Sequence, residues 1–358
     1  MSIRTIAFLA ASTFFSSFLL AQGESSRVDY RVLSSTSLAN NPGGENPNRN
    51  MAIYLPAGYD DESKSYPVVY WAHGFGRPIE GGLFQNIDEW KDLLDKAINR
   101  KVIDPLIMVF IDNRTEYWGS WYANSELTGN WEDLYTQELV TIIDTEYRTI
   151  PRRESRAMAG FSMGGYGALR LAIRNPDVYS VVYSLSPAYG DLSSNNKYSF
   201  ELAYNSKTKE VLFESFFATA RIALGRTFTP NPDNPPFHCD LPFSFENDEM
   251  IIHDGILDIW KANTLIGIIE NNVSNLKELK AIRIEWGRFD IPSIIAGCDS
   301  ITHKLLSYGI DHDAEEFNGN HGIDKFTEDG RYLADMLPFL ARNLEFEKRA
   351  TTNTKMNS

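Results

Sequence analysis

The sequence predicts an α/β fold, a mostly parallel central sheet flanked by helices, and three observations predict it. Short apolar runs of strand character alternate with stretches of helical periodicity over residues 51–185 and again from 281 onward. Such alternation builds strand–helix–strand units with parallel neighbours. The run at 106–111, Leu-Ile-Met-Val-Phe-Ile, is apolar at every position, as expected of a strand covered on both faces. A serine flanked by glycines, Gly160-Phe161-Ser162-Met163-Gly164, stands where a strand hands over to a helix.

Taken in order, Met1-Ser2-Ile3-Arg4 is followed by an uncharged apolar run over 5–20 and by Ala21-Gln22-Gly23. A charged start, an apolar segment shorter than the ~20 residues that span a bilayer, and small residues at its end read as a secretory signal peptide over 1–23. A secreted or periplasmic protein without stable membrane insertion is the expectation. Residues 24–50 are polar and rich in Asn, Gly and Pro, and no strand is assigned there. Met51-Ala52-Ile53-Tyr54-Leu55-Pro56 reads as a strand entering a turn, and 66–72, rich in Val and Tyr, as the next.

Trp90, Leu93, Leu94 and Ile98 recur at helical spacing before the 106–111 strand. A second helix carries Leu134, Leu139, Ile142, Ile143 and Tyr147 and stops near Pro151, which cannot continue it. Strand 156–161, helix 163–174 and strand 181–185 follow. Between about 190 and 280 the alternation lapses into Asn- and Phe-rich sequence with a proline cluster at 230–236 and a helical pattern at 256–269. This stretch reads as a cap-like insertion over the sheet. Periodicity resumes with a strand at 281–286, a helix at 294–307, a strand at 314–317 and a closing helix from about 331. Residues 24–348 are expected to form a single catalytic domain, and 349–358 a polar tail.

Composition excludes some partners. The 358 residues carry 34 Lys and Arg against 48 Asp and Glu, a net charge of −14. That balance repels phosphate backbones, so nucleic acid is set aside. Two cysteines, Cys239 and Cys298, are too few for a disulfide scaffold. An oxidising compartment would permit one bond between them, yet Cys298 falls among Ile294, Ile301 and Leu305 at helical spacing, the pattern of a small buried side chain. His238-Cys239 has no second Cys or His pair beside it, so no metal is expected, and no cofactor is called for.

The chemistry centres on Ser162. A serine between a strand and a helix sits on a sharp turn, with small residues on both sides because the backbone folds too tightly for a Cβ. The helix N-terminus and the free amide of Met163 favour negative charge developing beside the hydroxyl. No Gly-Lys-Ser/Thr follows, which removes a phosphate-loop reading. Serine needs a base. Of the six histidines, His321 stands in Asn318-Gly319-Asn320-His321-Gly322, the loop after the last strand, where the order serine, acid, histidine puts the base. The acid must follow a strand between them, and Asp290, reached from strand 281–286 through Gly287-Arg288-Phe289, fits that placement better than Asp299, which falls inside a helix. His73-Gly74-Phe75-Gly76 can turn amides toward a reacting carbonyl, so Phe75 N–H is expected to join Met163 N–H as an oxyanion hole.

At these residues the chain resembles a known family. Tyr54-Leu55-Pro56-Ala57-Gly58-Tyr59, Tyr66-Pro67-Val68-Val69-Tyr70, His73-Gly74-Phe75-Gly76, Gly160-Phe161-Ser162-Met163-Gly164-Gly165, Gly287-Arg288-Phe289-Asp290 and Gly319-Asn320-His321 look like the putative-esterase family of α/β-hydrolases, also called the esterase D family. Feruloyl esterases, S-formylglutathione hydrolases, enterochelin esterases and mycolyltransferases belong to it. The resemblance runs from about residue 30 to 342 and implies an α/β-hydrolase fold and Ser162, Asp290 and His321 as a catalytic triad. The insertion at 190–280 looks longer than in compact members.

Aromatic residues crowd the loop Tyr117-Trp118-Gly119-Ser120-Trp121-Tyr122, after a strand end where ligands bind in open sheets. Relatives use a similar segment near the active site, so Trp121 and Tyr122 are expected to bind substrate. Export favours feruloyl, acetyl or similar esters, including polysaccharide-linked ones. A thioesterase acting on S-formylglutathione, an acyltransferase, and an inactive carbohydrate-binding or structural member are the alternatives.

Overall fold

The computed structural model describes residues 25–76, 86–188, 197–322 and 325–347; the expected signal segment at 1–23 and polar tail at 349–358 lie outside them. The main sheet has eight strands: β1 (Arg27–Ser34), β2 (Asn48–Leu55), β3 (Val68–Ala72), β4 (Ile107–Ile111), β5 (Arg156–Phe161), β6 (Val181–Leu185), β7 (Ala281–Gly287) and β8 (Asp313–Phe317). Their spatial order is β1-β2-β4-β3-β5-β6-β7-β8. β1 pairs antiparallel with β2 and β2 with β4, and every other pair is parallel. This is the α/β-hydrolase arrangement the motifs led one to expect.

Six helices matter for the site: α1 (Ile87–Asn99), α2 (Leu139–Glu146), α3 (Met163–Arg174), α4 (Phe216–Phe228), α5 (Pro292–Ser307) and α6 (Leu337–Asn343). Because successive strand residues point to opposite faces, the sheet divides the interior in two. Tyr54, Trp71, Phe110 and Ala159 join α1 and α6 in one core, while Ile53, Tyr70, Val109 and Met158 join α2, α3 and α5 in the other. α1 turns Ile87, Trp90, Leu93, Leu94 and Ala97 inward, with Asp88 and Glu89 at its positive end and Lys96 at its negative end. Trp90 meets Trp71 edge-on at 4.6 Å and stacks on Tyr332 at 4.5 Å, contacts worth about 0.5–1.5 kcal/mol each beyond simple burial.

The structure differs from the sequence reading in two places, the 24–50 stretch and the 256–269 pattern, and it decides the state of the cysteines. Residues 24–50 contain a strand, β1, paired with β2 from Arg27 opposite Leu55 to Ser34 opposite Asn48. Its side chains give little warning because Tyr30 and Val32 stay exposed at the sheet edge; what forms the strand is the backbone ladder offered by β2. The helical pattern at 256–269 is two helices, Asp254–Ala262 and Leu265–Asn271. Thr264 starts the second, its hydroxyl accepting the Gly267 amide at 3.2 Å. Cys239 and Cys298 are buried free thiols, and burial pushes the Cys239 thiol up to about 12.

Between β6 and β7 lie α4, the shorter helices and a hairpin of Phe243–Glu246 with Glu249–Ile252. No helix among the described residues is long and apolar enough to cross a membrane.

Candidate active site

Ser162 occupies the cap position of α3 with φ 58° and ψ −120°, a backbone state that L-residues avoid unless their surroundings enforce it. Those surroundings are glycine. A Cβ on Gly160 would lie 2.2 Å from the Gly164 carbonyl oxygen, and one on Gly164 would lie 1.9 Å from that of Ala72, so α3 can press against β3 and β5 only where both side chains are absent. The Ser162 amide donates to Leu185 O at 3.0 Å, and its carbonyl accepts from Tyr166 and Ala188 at 3.1 and 2.9 Å. The hydroxyl is thereby held above the C-terminal edge of the sheet.

His321 and Asp290 arrive from the ends of β8 and β7. The two loops are stitched together by Arg288 N–H to Phe317 O at 2.8 Å and Phe289 N–H to Gly319 O at 2.9 Å. The structure brings the three side chains into one hydrogen-bonded series: His321 Nε2 lies 3.1 Å from Ser162 Oγ, and Nδ1 lies 2.8 Å from Asp290 Oδ1. The imidazole is a quarter exposed while the Asp290 side chain is wholly buried. Burial by itself would raise the Asp290 carboxyl. Hydrogen bonds from His321 and the Ile291 amide, together with the nearby imidazole and Ser186 hydroxyl, outweigh it and hold the group below the ordinary aspartate range. A carboxylate so held fixes Nδ1 as donor and leaves Nε2 free to accept the serine proton. Asp299, the weaker candidate, is exposed on α5.

Phe75 and Met163 flank the serine. Among the described residues no backbone carbonyl accepts from either amide, as a hole for a developing oxyanion requires. The loop carrying Phe75 is anchored by His73, whose Nε2 accepts the Asn113 amide at 2.8 Å and whose Nδ1 lies 2.8 Å from Gly74 O. Only a neutral ring protonated at Nδ1 makes both bonds, and burial pulls the His73 pKa down in agreement. Gly119 closes the arrangement from the aromatic loop: a Cβ there would fall 2.4 Å from Met163 Sδ and 2.6 Å from the Phe75 ring.

Trp121 and Tyr122, adjacent in sequence, part company. Both have positive φ, 54° and 52°. Trp121 lines the cavity in front of Ser162. Tyr122 faces the interior, fully buried, its hydroxyl donating to His73 O at 2.8 Å and its ring pressed on Gly167. Its geometry is that of a support for the His73 loop, not of a cavity wall. The cavity holds about 140 Å³ and is largely apolar, walled by Phe75, Trp121, Ile291 and, from the insertion, Phe216, Phe217 and Leu224. The α4 residues were not singled out from sequence, although Phe216, Phe217, Ala220 and Leu224 share one helical face, a pattern that would have marked an inward stripe.

A second cluster of titratable groups lies away from this cavity. The buried Glu285 accepts from Arg331 Nε and Tyr183 Oη, each at 2.8 Å, and pairs with Arg283; Glu315 and Asp335 bind the same two guanidinium groups. The three carboxylates come within 4.8 Å of one another, but each already pairs with both Arg283 and Arg331, so they form a structural ion network joining β7, β8 and the closing helix.

A family model described as putative esterase matches residues 45–230, just over half the chain. An esterase of Mycobacterium tuberculosis is 26% identical over 282 residues, 78% of this chain and 53% of the relative. An endo-1,4-β-xylanase/feruloyl esterase of Xylanibacter ruminicola is 30% identical over 138 residues, 36% of this chain and 18% of the relative. The chain thus spans about half the length, or less, of these relatives. Among solved structures, a ferulic acid esterase superposes with a TM-score of 0.60 at 18% identity, covering 90% of this chain and all of the other. An S-formylglutathione hydrolase from Agrobacterium tumefaciens superposes at 0.55 and 14% identity, covering 89% and 96%.

Proposed function

The chain belongs to the putative esterase family, and from that premise we propose that it is an exported serine carboxylic-ester hydrolase that works through an acyl-enzyme on feruloyl, acetyl or similar esters. The observation that carries the reading is the Asp290–His321–Ser162 series, with contacts of 2.8 and 3.1 Å. His321 Nε2 takes the proton of Ser162 Oγ as the oxygen attacks the ester carbonyl. Asp290 stabilises the imidazolium that results. The amides of Met163 and Phe75 receive the carbonyl oxygen as it becomes negative, and removing one such donor typically costs about 10²–10³ in rate. The proton on His321 then passes to the leaving alcohol. Water, activated by the same imidazole, releases the acid.

Support for an apolar or aromatic acyl group comes from the cavity wall, where the rings of Phe75, Trp121, Phe216 and Phe217 surround the serine. Planar rings in a largely apolar cleft favour offset or edge contacts with a planar ligand. The N-terminal segment supports export. Two tests bear on the proposal. Labelling by a fluorophosphonate should be complete in the wild-type protein and absent in Ser162→Ala. A panel of methyl ferulate, acetylated xylan, short aryl esters and S-formylglutathione should give the highest kcat/KM with an oxygen ester; a preference for the thioester would overturn the substrate class.

A further inference from the structure

Ser186 is a feature that the esterase motifs do not account for. It follows β6 directly, is wholly buried, and has φ 46°, a strained state for any residue with a Cβ. Its backbone sits between the two halves of the site. The preceding carbonyl, Leu185 O, accepts the Ser162 amide, and the Ser186 amide itself donates to Glu285 O of β7 at 2.6 Å.

Two buried polar atoms there have no hydrogen-bond partner among the described residues: Ser186 Oγ and Asp290 Oδ2. The backbone brings them together, because Ser186 follows β6 and its amide bonds Glu285 O of β7, the strand whose following loop carries Asp290, and the hydroxyl helps hold the carboxylate in its charged form. A donor and a carboxylate oxygen buried side by side resolve each other's desolvation, whereas leaving both unpaired is costly. Asp290 Oδ1 already receives two donors, His321 Nδ1–H at 2.8 Å and the Ile291 amide at 2.7 Å. Among the described residues no donor reaches Oδ2. A carboxylate gripped at one oxygen can still swing about its terminal bond, and the imidazole that faces it swings too.

We propose that Ser186 is a positioning residue of this site, its hydroxyl donating to Asp290 Oδ2 so that the carboxylate is clamped at both oxygens and the His321 ring is aimed at Ser162. The proposal rests on the ester-hydrolase reading above. Ser186 acts through Asp290 and touches no reacting atom, so its effect must vanish when the clamped carboxylate is gone. This defines a double-mutant cycle. Ser186→Ala should lower kcat on a short p-nitrophenyl ester about tenfold, with KM changed less than about twofold, as expected for loss of a hydrogen bond to a charged group that aligns the base. In an Asp290→Asn background the same substitution should change the fluorophosphonate labelling rate by less than about twofold. Ser186→Gly, which relaxes the positive φ while also removing the hydroxyl, should lose as much kcat as Ser186→Ala and melt at a higher temperature. It keeps the test open if the alanine variant folds poorly.

Wild-type kcat in a folded Ser186→Ala or Ser186→Gly protein, or an equal loss with and without the Asp290 carboxylate, would overturn the proposal and leave the hydrolase reading standing. A wild-type protein that fails to label with fluorophosphonate would overturn the hydrolase reading and this proposal with it.

Discussion

At Ser162 a weak nucleophile is surrounded by separate groups, each with its own measurable share. Ser162→Ala should abolish ester turnover and fluorophosphonate labelling while leaving the melting temperature within a few degrees, because among the described residues the hydroxyl's hydrogen bond is to His321 alone. Asp290→Asn should cost about 10⁴ in kcat through loss of the tautomer that keeps Nε2 an acceptor; an unaffected variant, with Asp299→Asn inactive instead, would reassign the acid. The same carboxylate links stability to pH. Its pKa is depressed in the folded protein, so its stabilising contribution is complete above the unfolded aspartate value of about 3.9 and is lost as pH falls through the lower folded value. Thermal unfolding followed from pH 6 to pH 3 should show a steeper acid-side decline in the wild type than in Asp290→Asn, and parallel curves would contradict this.

Individual elements set the shape around those groups. α3 approaches β3 so closely that Gly164→Ala, whose new Cβ would meet the Ala72 carbonyl oxygen at 1.9 Å, should unfold the elbow or displace the helix. Soluble yield and fluorophosphonate labelling would both fall, since backbone cannot yield as a side chain can. α4 has a different task. Its inward stripe forms one wall of the cavity, so Ala220→Trp should fill that space and reduce kcat/KM for a feruloyl ester at least about tenfold while leaving an acetyl ester within about threefold, the range by which pocket size discriminates apolar groups. Equal loss for both esters would indicate damage to the machinery and not selection by size. The aromatic loop after β4 illustrates how far an element can depart from its sequence. Trp118, Trp121 and Tyr122 all take positive φ, and this is what sends two neighbouring aromatic side chains to a cavity wall and to the interior.

Over the whole molecule, the C-terminal ends of β3, β5, β6, β7 and β8 meet at one edge of one sheet, and the ion network around Glu285 ties the last two strands to the closing helix. Breaking a buried pair leaves charge uncompensated, so Glu285→Gln should lower stability to urea by about 3–5 kcal/mol, with activity per folded molecule retained. The sequence by itself determined the strand–helix alternation, the glycine-flanked elbow at Ser162 and the order serine, acid, histidine along the chain. These are local properties: period, glycine spacing and position after a strand are written within a few residues of each site. Tertiary structure decided the rest. β1 exists because β2 offers it a ladder. Tyr122 turns inward because the His73 carbonyl is there to receive it. α4 and Ser186 enter the site because folding brings segments far apart in sequence within hydrogen-bonding or van der Waals reach. Such contacts depend on which surfaces the sheet order juxtaposes, and no local pattern of residue types encodes that order.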